Sequence, residues 1–441
     1  MATLTPFCGL RYDPTIVGNL TAVVAPPYDV INGAEREQLY ARSDFNAVRI
    51  DLSAATDPYT DAAATLGRWR QSGALVRDAA PALYLYAQRF PMPDGSARER
   101  VGAIGALQLD RSEILRHEKT RQHAKDDRLR LTEACRATLS PIMGLVSDPD
   151  WTFASMTPRR EADLDVVDES GIRHRVWCIT DPAVLDAVRA RFAERHVFIA
   201  DGHHRYETAL NYQAQARTAL GGAAPAVGEA SYDYIMAYLT TLEDPGLIVF
   251  PTHRVLPRVA MPAADLRRTL AQWFSIEDVP WSAANFAAAT AWVETEAPEP
   301  GIVRLVVGIA GSPAFWRLTA PIAELPFAAE TPIELRALDV TALHRVIFER
   351  ALGLTLDDRG GSDEIRYVQD ASGSLAAAGR GEVQGVFLLP PTDLTAIRDV
   401  SEAGLTMPAK STFFHPKLLT GLVFYPMDDA DPPAVAADCP T

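Results

Sequence analysis

The sequence predicts a mixed α/β fold built on a mixed sheet, and three observations support this prediction. Short apolar, β-prone runs alternate along the chain with segments whose apolar residues recur at helical spacing. Hydrophobic residues make up 48% and charged residues 22% of the chain, which excludes disordered and fibrous proteins. With 441 residues, the chain has room for two or three domains and can bury a core without disulfides or metal ions.

Local patterns predict the individual elements. Residues 82–90 and 101–109 are apolar, and Pro93-Asp94-Gly95 between them has the composition of a tight turn, so this segment predicts a β-hairpin. Further apolar runs predict buried strands at 197–200, 247–250, 303–309, 386–389 and 422–425. Helical spacing predicts helices at 266–274, 341–352 and 394–403. Gly404 is expected to end the last of these helices as its C′ glycine.

Two stretches rich in Pro and Ala, at 257–264 and 297–301, are the best candidates for linkers between domains. We expect an N-terminal α/β region, 1–255, and a C-terminal α/β region, 256–441. We expect the two regions to pack together around one site.

Charge and cysteine content exclude several classes of protein. The net charge of −15 disfavours binding to nucleic acid or to an anionic membrane. The four cysteines, Cys8, Cys135, Cys178 and Cys439, are far apart, which excludes a disulfide framework and a four-thiolate zinc site. The N-terminus lacks the pattern of a secretory signal, and the longest uncharged apolar stretch, 305–316, is too short to span a bilayer. We therefore expect a cytoplasmic protein.

The strongest chemical signal is the segment 196–210, which reads HVFIADGHHRYETAL. An apolar strand leads into Asp201 and Gly202, and a helical pattern follows at once and continues to the glycines at 221–222. A glycine turn before a helix N-terminus binds anions, because backbone N–H groups and the helix dipole point at the ligand. His203, His204 and Arg205 add up to three cationic donors on the first turn, so the segment predicts a phosphate site.

Two other interpretations of this turn stay open. His203 and His204 are candidate metal ligands, although adjacent helical residues point about 100° apart and chelating pairs are usually spaced i, i+4. A purely structural role in capping and packing the turn is the other.

A second cluster follows the strand at 101–109. Glu118 lies between His117 and Lys119, and a charged run follows at 125–130. A carboxylate held among cations is a candidate general base or magnesium ligand. The alternative is the salt-bridged start of an exposed helix.

A third cluster contains Lys410, Ser411, Thr412, His415 and Lys417, a polar island between a predicted helix and a predicted strand. It is either a substrate loop or a plain connection.

Two shorter motifs are equally ambiguous between a structural turn and a substrate loop. Pro26 and Pro27 stiffen the chain just before Tyr28 and Asp29. The string Pro251-Thr-His-Arg254 offers a histidine and an arginine.

The order of the first three clusters resembles the free L-serine kinases, which have a ParB/sulfiredoxin-like fold. The matching strings are His117-Glu118, the segment IADGHHR at 199–205 and the segment PAKST at 408–412. Over its whole length the chain is identified as a member of the family called domain of unknown function 1015. That match is carried by APPYD at 25–29, HEKT at 117–120, ADGHHRYE at 200–207, PTHR at 251–254 and the loop 410–417.

The resemblance implies a ParB/sulfiredoxin-like catalytic core with large additional segments. It also implies a phosphotransferase that makes O-phospho-L-serine from free L-serine with ATP, ADP or pyrophosphate as donor and Mg²⁺ as cofactor. The chain has neither a Walker loop nor the protein-kinase signatures, so the sequence leaves the donor open.

The same resemblance implies roles for individual residues. Glu118 matches the catalytic base, with His117 before it, and Asp201 is the candidate to hold Mg²⁺ or to position the donor. The phosphate site would comprise Gly202, His203, His204 and Arg205. The substrate or donor loop would comprise Lys410, Ser411 and Thr412. Tyr28, Asp29 and Arg254 are further candidates from the wider family without a derived role.

The comparison with related families also excludes two activities. Sulfiredoxins need a cysteine where this chain has His203, and ParB-type CTP switches carry Gly-Glu-Arg-Arg at this turn. Two alternative functions remain, a non-catalytic nucleotide- or phosphometabolite-binding protein and a metal-dependent hydrolase that uses His203, His204 and Asp201. Glu118 distinguishes the binding protein from a kinase. A protein that only binds phosphates has no use for a carboxylate beside them, because the carboxylate would repel them.

Overall fold

The computed structural model of the chain describes residues 2–120, 122–193, 195–296, 299–357 and 364–427. Its strands are β1 Leu4–Thr5, β2 Leu10–Tyr12, β3 Leu75–Arg77, β4 Leu83–Pro91, β5 Ala97–Gln108, β6 Ile114–Leu115, β7 Ala137–Thr138, β8 Ile142–Val146, β9 Leu164–Val167, β10 Arg173–Ile179, β11 Val197–Asp201, β12 Tyr234–Thr241, β13 Ile248–Phe250, β14 His253–Leu256, β15 Ser275–Pro280, β16 Ile302–Ile309, β17 Ala314–Pro321, β18 Arg366–Val368, β19 Gly385–Leu388, β20 Phe413–His415 and β21 Tyr425–Pro426.

The α-helices are α1 Pro14–Val17, α2 Leu20–Val23, α3 Gly33–Arg42, α4 Val48–Asp51, α5 Pro58–Gln71, α6 Gln122–Cys135, α7 Pro182–Phe192, α8 His203–Leu220, α9 Ala263–Leu270, α10 Ala283–Glu294, α11 Ile333–Arg336, α12 Asp339–Thr341, α13 Ala371–Gly379 and α14 Leu394–Glu402. Short 3₁₀ helices lie at Tyr28–Val30, Phe153–Met156, Gly221–Ala223, Ser231–Asp233 and Ile322–Glu324. A π-helix spans Ala342–Ala351. Over the described part of the chain, each helix is too short or too polar to cross a bilayer.

The chain separates into two compact units. Unit 1 comprises Met1–Leu115, Thr120–Ile248 and Pro416–Thr441, and unit 2 comprises Arg116–Lys119 and Val249–His415. The boundary expected after residue 255 lies close to one crossing, after Ile248. The chain also crosses into unit 2 for the four residues around His117 and returns to unit 1 at Pro416, and no local composition signals these crossings.

Unit 1 is built on a mixed sheet with the strand order β6-β11-β8-β12-β5-β4-β10-β9, and β1 pairs with β5 at its side. The pairs β6–β11 and β8–β12 are parallel, whereas the others are antiparallel. The predicted mixed α/β class is thus confirmed. The predicted hairpin is β4–β5, whose turn contains Gly95 at a φ of 82°. This is a conformation that L side chains rarely adopt.

Helix α8 covers part of this sheet. Its buried residues Tyr206 and Leu210 belong to the same apolar cluster as Ile142 of β8 and Ile199 of β11. The helix begins at His203 and ends at Leu220, before Gly221, as the sequence predicts. Burial of this apolar face fixes the axis of α8, and its N-terminus therefore has a defined position at the end of β11.

Unit 2 contains an antiparallel sheet with the order β15-β17-β16-β19-β14-β18. Helices α10 and α13 pack on it around Leu375, Val306 and Phe315. The strands predicted at 303–309 and 386–389 are β16 and β19, and the helix predicted at 394–403 is α14, followed by Gly404 at a φ of 67°.

Three predicted elements differ from the structure. The helix predicted at 266–274 ends at Leu270. The segment predicted as an ordinary helix at 341–352 is largely a π-helix, a distinction that apolar spacing does not resolve. The strand predicted at 422–425 is wrong for its first part, because β21 begins at Tyr425. Leu422 and Phe424 are buried, so the apolar run reflects burial of an irregular segment.

The C-terminal half of α8 is anchored by a buried carboxylate. Asp233 is fully buried and accepts hydrogen bonds from Arg217 at 2.6 and 2.7 Å and from Gln213 at 2.9 Å. The backbone N–H of Gly228 also donates to it at 2.9 Å. This carboxylate therefore ties α8 to the start of β12.

We predict that Asp233→Asn destabilises the protein by about 3 kcal/mol, since it removes the charge that a partly buried arginine pairs with. Urea unfolding followed by tryptophan fluorescence measures the change. The exposed Glu37→Gln in α3 is the matched control and should unfold like wild type. Equal stability of both variants would mean that Asp233 does not hold the helix.

Candidate functional site

The first part of the candidate site is the end of β11 in unit 1. The register between β11 and β8 shifts between Ile199 and Asp201, so that Asp201 is opposite Met143. Such a bulge bends a strand and redirects the side chain that follows it. Asp201 is consequently only partly buried, whereas the four strand residues before it are buried.

Gly202 makes the turn from β11 into α8. Its backbone has a φ of 90° and a ψ of 26°, in the left-handed region. A Cβ atom there would lie 3.0 Å from the Ile142 side chain and 3.1 Å from the Arg205 guanidinium. The position therefore requires glycine both for its backbone conformation and for its packing. The first backbone bond of α8 runs from Tyr206 N to Gly202 O, so the helix itself offers no carbonyl to the N–H groups of its first turn.

Asp201 interacts with two cations. Lys417 Nζ lies 3.3 Å from Asp201 Oδ1, and Arg205 Nη2 lies 3.4 Å from Asp201 Oδ2. Burial raises the pKa of Asp201, but Lys417, Arg205 and His203 outweigh this effect and lower the pKa to about 2. Asp201 is therefore ionised at neutral pH. Both distances exceed the usual 2.7–2.9 Å of charge-assisted bonds, so neither cation is held tightly by the carboxylate.

Arg205 points back beneath the turn. Its Nη1 donates to Ser140 Oγ at 3.1 Å and to the carbonyl oxygen of Pro141, just before β8. Its side chain is only 10% exposed, compared with 20% for Lys417 and 25% for Asp201. His203 is buried and His204 is half-buried. Arg205 thus ties the turn to β8, and Lys417 is the more accessible of the two cations.

A second set of side chains surrounds Arg205 on its inner side. Arg128 Nη1 pairs with Asp51 Oδ1 at 2.9 Å, and its guanidinium lies 4.2 Å from the centre of the Tyr28 ring. Burial raises the pKa of Tyr28 to about 12, although Arg205 and Arg128 oppose the shift. Tyr28 is therefore close to the predicted phosphate site. Asp29, which follows Tyr28 in the same 3₁₀ helix, is exposed.

A cavity of about 50 Å³ lies among Asp51, Arg128, Ser140 and Arg205. Pockets for ligands of nucleotide size usually measure about 300–1,000 Å³. The inner side of the turn is consequently too small for a phosphate donor.

The remaining predicted residues meet in unit 2. The buried His117 accepts a hydrogen bond from Met407 N at its carbonyl oxygen, at 2.7 Å. Its Nε2 lies 3.3 Å from Thr412 Oγ1. His117 therefore contacts both ends of the loop 407–412. Glu118, next to it, is half-buried. Helix α6 spans Gln122–Cys135 and contains the charged run 125–130, so the alternative of a salt-bridged helix start stays open.

Arg254 holds the middle of the same loop. Its buried Nη2 donates to the carbonyl oxygens of Ala409 and Lys410, at 3.0 and 3.1 Å. Lys410 has a φ of 56°, in the left-handed region that a residue other than glycine rarely adopts. Thr392 Oγ1 donates to the carbonyl oxygen of Ser411 at 2.6 Å. The structure thus gathers His117, Arg254 and the predicted loop 410–412, which lie far apart in sequence.

Sequence reasoning placed Lys417 in the polar island at 410–417 without assigning it a role, and it did not include Asp51 or Arg128 among the candidate site residues. The residues around Asp51 in the sequence do not indicate a functional site. Arg128 lies in a charge run that is typical of an exposed helix face. For Lys417, the amino-acid composition does indicate a special role. Of the 42 Lys and Arg residues only four are lysines, Lys119, Lys125, Lys410 and Lys417, and all four lie in the motif clusters or in the charged run beside them.

The next question is whether side chains in the described part of the chain could bind a metal ion by themselves. No three side chains of His, Cys, Asp or Glu come together there in a way that could hold a metal ion. The Mg²⁺ expected for phosphoryl transfer does not need a site made of several protein side chains. Mg²⁺ often binds one or two carboxylates plus the phosphates of a substrate, and Asp201 is an ionised, loosely paired and partly exposed carboxylate.

Comparison with known proteins places the chain in a family. No curated protein sequence matches it. Among solved structures it is similar to a mutant of free serine kinase in complex with AMP, with 10% identity and a TM-score of 0.32 over 71% of this chain and 87% of that one. A C-terminally truncated SbnI from Staphylococcus aureus is similar at 14% identity and a TM-score of 0.32, over 72% and 85% of the two chains.

A conserved hypothetical protein from Pyrococcus furiosus is similar at 12% identity and a TM-score of 0.30, over 72% of this chain and 92% of that one. The family model described as protein of unknown function (DUF1015) matches residues 4–341. This match includes the motifs at 25–29, 117–120, 200–207 and 251–254, and the chain therefore belongs to the DUF1015 family.

Proposed function

We propose that the protein is a small-molecule phosphotransferase that binds the phosphates of its donor at the Gly202 turn, residues 201–205 with Lys417. The proposed donor is ATP, ADP or pyrophosphate, and the proposed acceptor is a small hydroxyl compound, with free L-serine as the first candidate. The observation that carries this proposal is the pairing of Asp201 with Lys417 and Arg205 at the N-terminus of α8.

The charges at this turn favour an anion. The chain as a whole carries a net charge of −15, yet two cations converge on one carboxylate at the positive end of a helix of 18 residues. Because both ion pairs of Asp201 are long, a phosphate oxygen can compete with Asp201 for Lys417. The N-terminus of α8 would supply the backbone N–H groups that phosphate sites use.

The scarcity of lysine supports a specific role for Lys417. The sequence uses arginine at 38 of its 42 basic positions, which is 42 minus the four lysines. An ammonium is a compact point charge on a flexible stem, and lysine is a common ligand of donor phosphates. Arg205, which is already bonded to Ser140 and Pro141, serves as the fixed cation beneath the turn.

Two further groups complete the proposed chemistry. Mg²⁺ held by Asp201 and the donor would neutralise charge on the phosphates. Glu118 is the proposed general base for the acceptor hydroxyl, on the strength of its match to the serine kinases. His117 and Arg254 hold the loop 407–412, and Lys410, Ser411 and Thr412 are the proposed contacts to substrate or donor.

We predict that Lys417→Met weakens binding of pyrophosphate by about tenfold to a hundredfold, since a hydrogen bond to a charged group contributes about 1.5–3 kcal/mol. Isothermal titration calorimetry measures the affinity. Arg98→Met, which removes an exposed cation on the β4–β5 hairpin, is the control and should bind like wild type. Unchanged affinity of Lys417→Met would place the anion elsewhere.

We predict opposite effects of Asp201→Asn with and without metal. In EDTA the variant should bind pyrophosphate more tightly by a factor of about five, because a pair of unit charges about 4 Å apart interacts with about 1 kcal/mol in water. With Mg²⁺ wild type should gain affinity and the variant should gain little. Weaker binding of the variant in EDTA would show that Asp201 only builds the turn.

We predict that Glu118→Gln lowers turnover by about 10²- to 10⁴-fold, the usual contribution of a general base, while donor binding is kept. The assay incubates the protein with Mg²⁺, L-serine and each donor in turn, and mass spectrometry detects phosphoserine. Equal loss of binding and turnover would make Glu118 structural. Wild type that binds donors but phosphorylates neither L-serine nor other small alcohols would be a nucleotide- or phosphometabolite-binding protein instead.

A further inference from the structure

Lys417 lies in a segment whose position depends on side chains elsewhere in unit 1. Residues 416–419 lie outside helices and strands. The segment becomes regular only at Thr420, which exchanges two backbone hydrogen bonds with Ala25, at 2.8 and 3.0 Å. Buried backbone groups outside regular structure need partners from side chains or water. The partners of this segment therefore determine where the Lys417 ammonium lies.

Two of these partners are buried polar residues in the middle of the sheet. Gln88 of β4 and Arg100 of β5 are opposite each other in the register, and both are fully buried. Arg100 Nη2 donates to the carbonyl oxygen of Pro416 at 2.6 Å and also to Gln88 Oε1. Gln88 Nε2 donates to the carbonyl oxygen of Lys417 at 2.9 Å.

The geometry fixes the orientation of the Gln88 amide. A guanidinium has donors only, so the amide must turn its oxygen to Arg100 and its NH₂ group to the carbonyl of Lys417. Arg100 thus orients the group that holds Lys417. The residues of β4 from Leu83 to Ala87 are apolar or aromatic, and all are buried. An apolar side chain would fit the core equally well at position 88, so the core alone does not explain the buried pair of Gln88 and Arg100.

A second contact lies on the other side of Lys417. Tyr86 is two residues before Gln88, on the same face of β4. Burial raises the pKa of its hydroxyl, and the nearby backbone of Leu419 opposes this shift. The Tyr86 hydroxyl also lies 2.6 Å from Nδ1 of the buried His174, whose Nε2 is 3.2 Å from Asp168. One face of β4 therefore holds the backbone at Lys417 and lies near the backbone two residues beyond it.

We infer that Gln88, oriented by Arg100, is a positioning residue that holds the Lys417 ammonium at the Gly202 turn. The inference rests on the phosphate-binding role proposed for Lys417. A lysine side chain has many rotamers, so its charge reaches one point reliably only if its backbone is fixed. Loss of the Gln88 contact should weaken phosphate binding only through Lys417.

Two substitutions remove the donor to Lys417 while keeping the length of the side chain. Gln88→Glu keeps an acceptor for Arg100, and Gln88→Met is neutral. Each is made in wild type and in Lys417→Met, and pyrophosphate affinity is measured by calorimetry in all combinations. Gln71→Glu and Gln71→Met, at an exposed position of α5, control for charge and composition.

In the wild-type background we expect both Gln88 variants to weaken pyrophosphate binding about fivefold to tenfold, in the range of one ordinary hydrogen bond. In the Lys417→Met background we expect a change of less than about twofold, because a double-mutant cycle cancels effects that do not act through Lys417. Exchange of the backbone N–H groups of 417–419 should accelerate in both Gln88 variants, which checks positioning even if one variant folds poorly.

Three results separate failure of this inference from failure of the proposed function. Equal weakening in both backgrounds would make Gln88 a merely structural residue and overturn the inference. Wild-type affinity in both Gln88 variants would also overturn it. If Lys417→Met itself binds pyrophosphate like wild type, the proposed phosphate site is wrong, whatever the Gln88 variants do.

Discussion

The pairing of one carboxylate with two cations at the end of a buried strand is the interaction on which the rest of the candidate site depends. Lys417, Arg205 and His203 offset the cost of burying Asp201, so its carboxylate remains ionised in a partly buried position. Gly202 allows Arg205 to fold back under the turn, and Ser140 and Pro141 hold it there. The fold of unit 1 thus delivers three distant segments to one turn.

Other buried polar residues also hold loops or helix ends in place. Gln88 and Arg100 hold the segment of Lys417, and Asp233 fixes the far end of α8. In unit 2, the buried Arg254 and His117 hold the loop 407–412 with Lys410 in a left-handed conformation. Buried polar residues carry a desolvation cost, so their concentration around loops that bear the family motifs indicates that these loops need defined positions.

Sequence reasoning predicted the features that depend on local chemistry. The hairpin β4–β5, the strand–glycine–helix turn at 201–203 and the end of α14 at Gly404 each follow from a few neighbouring residues. Features that depend on remote pairing were not predictable. Neither Lys417 nor Gln88 reveals in its own surroundings that strand order brings the two together, and the burial of Arg128 is hidden in a run of charges typical of an exposed helix. The scarcity of lysine was the usable signal.

The proposed function requires that a phosphate group of the donor binds at the Gly202 turn in contact with Lys417. A crystal structure of the protein with pyrophosphate and Mg²⁺ shows where the phosphates bind. We expect a phosphate oxygen within hydrogen-bond distance of Lys417 Nζ and of the first backbone N–H groups of α8. Pyrophosphate bound at another surface, with Lys417 still paired to Asp201, would contradict it.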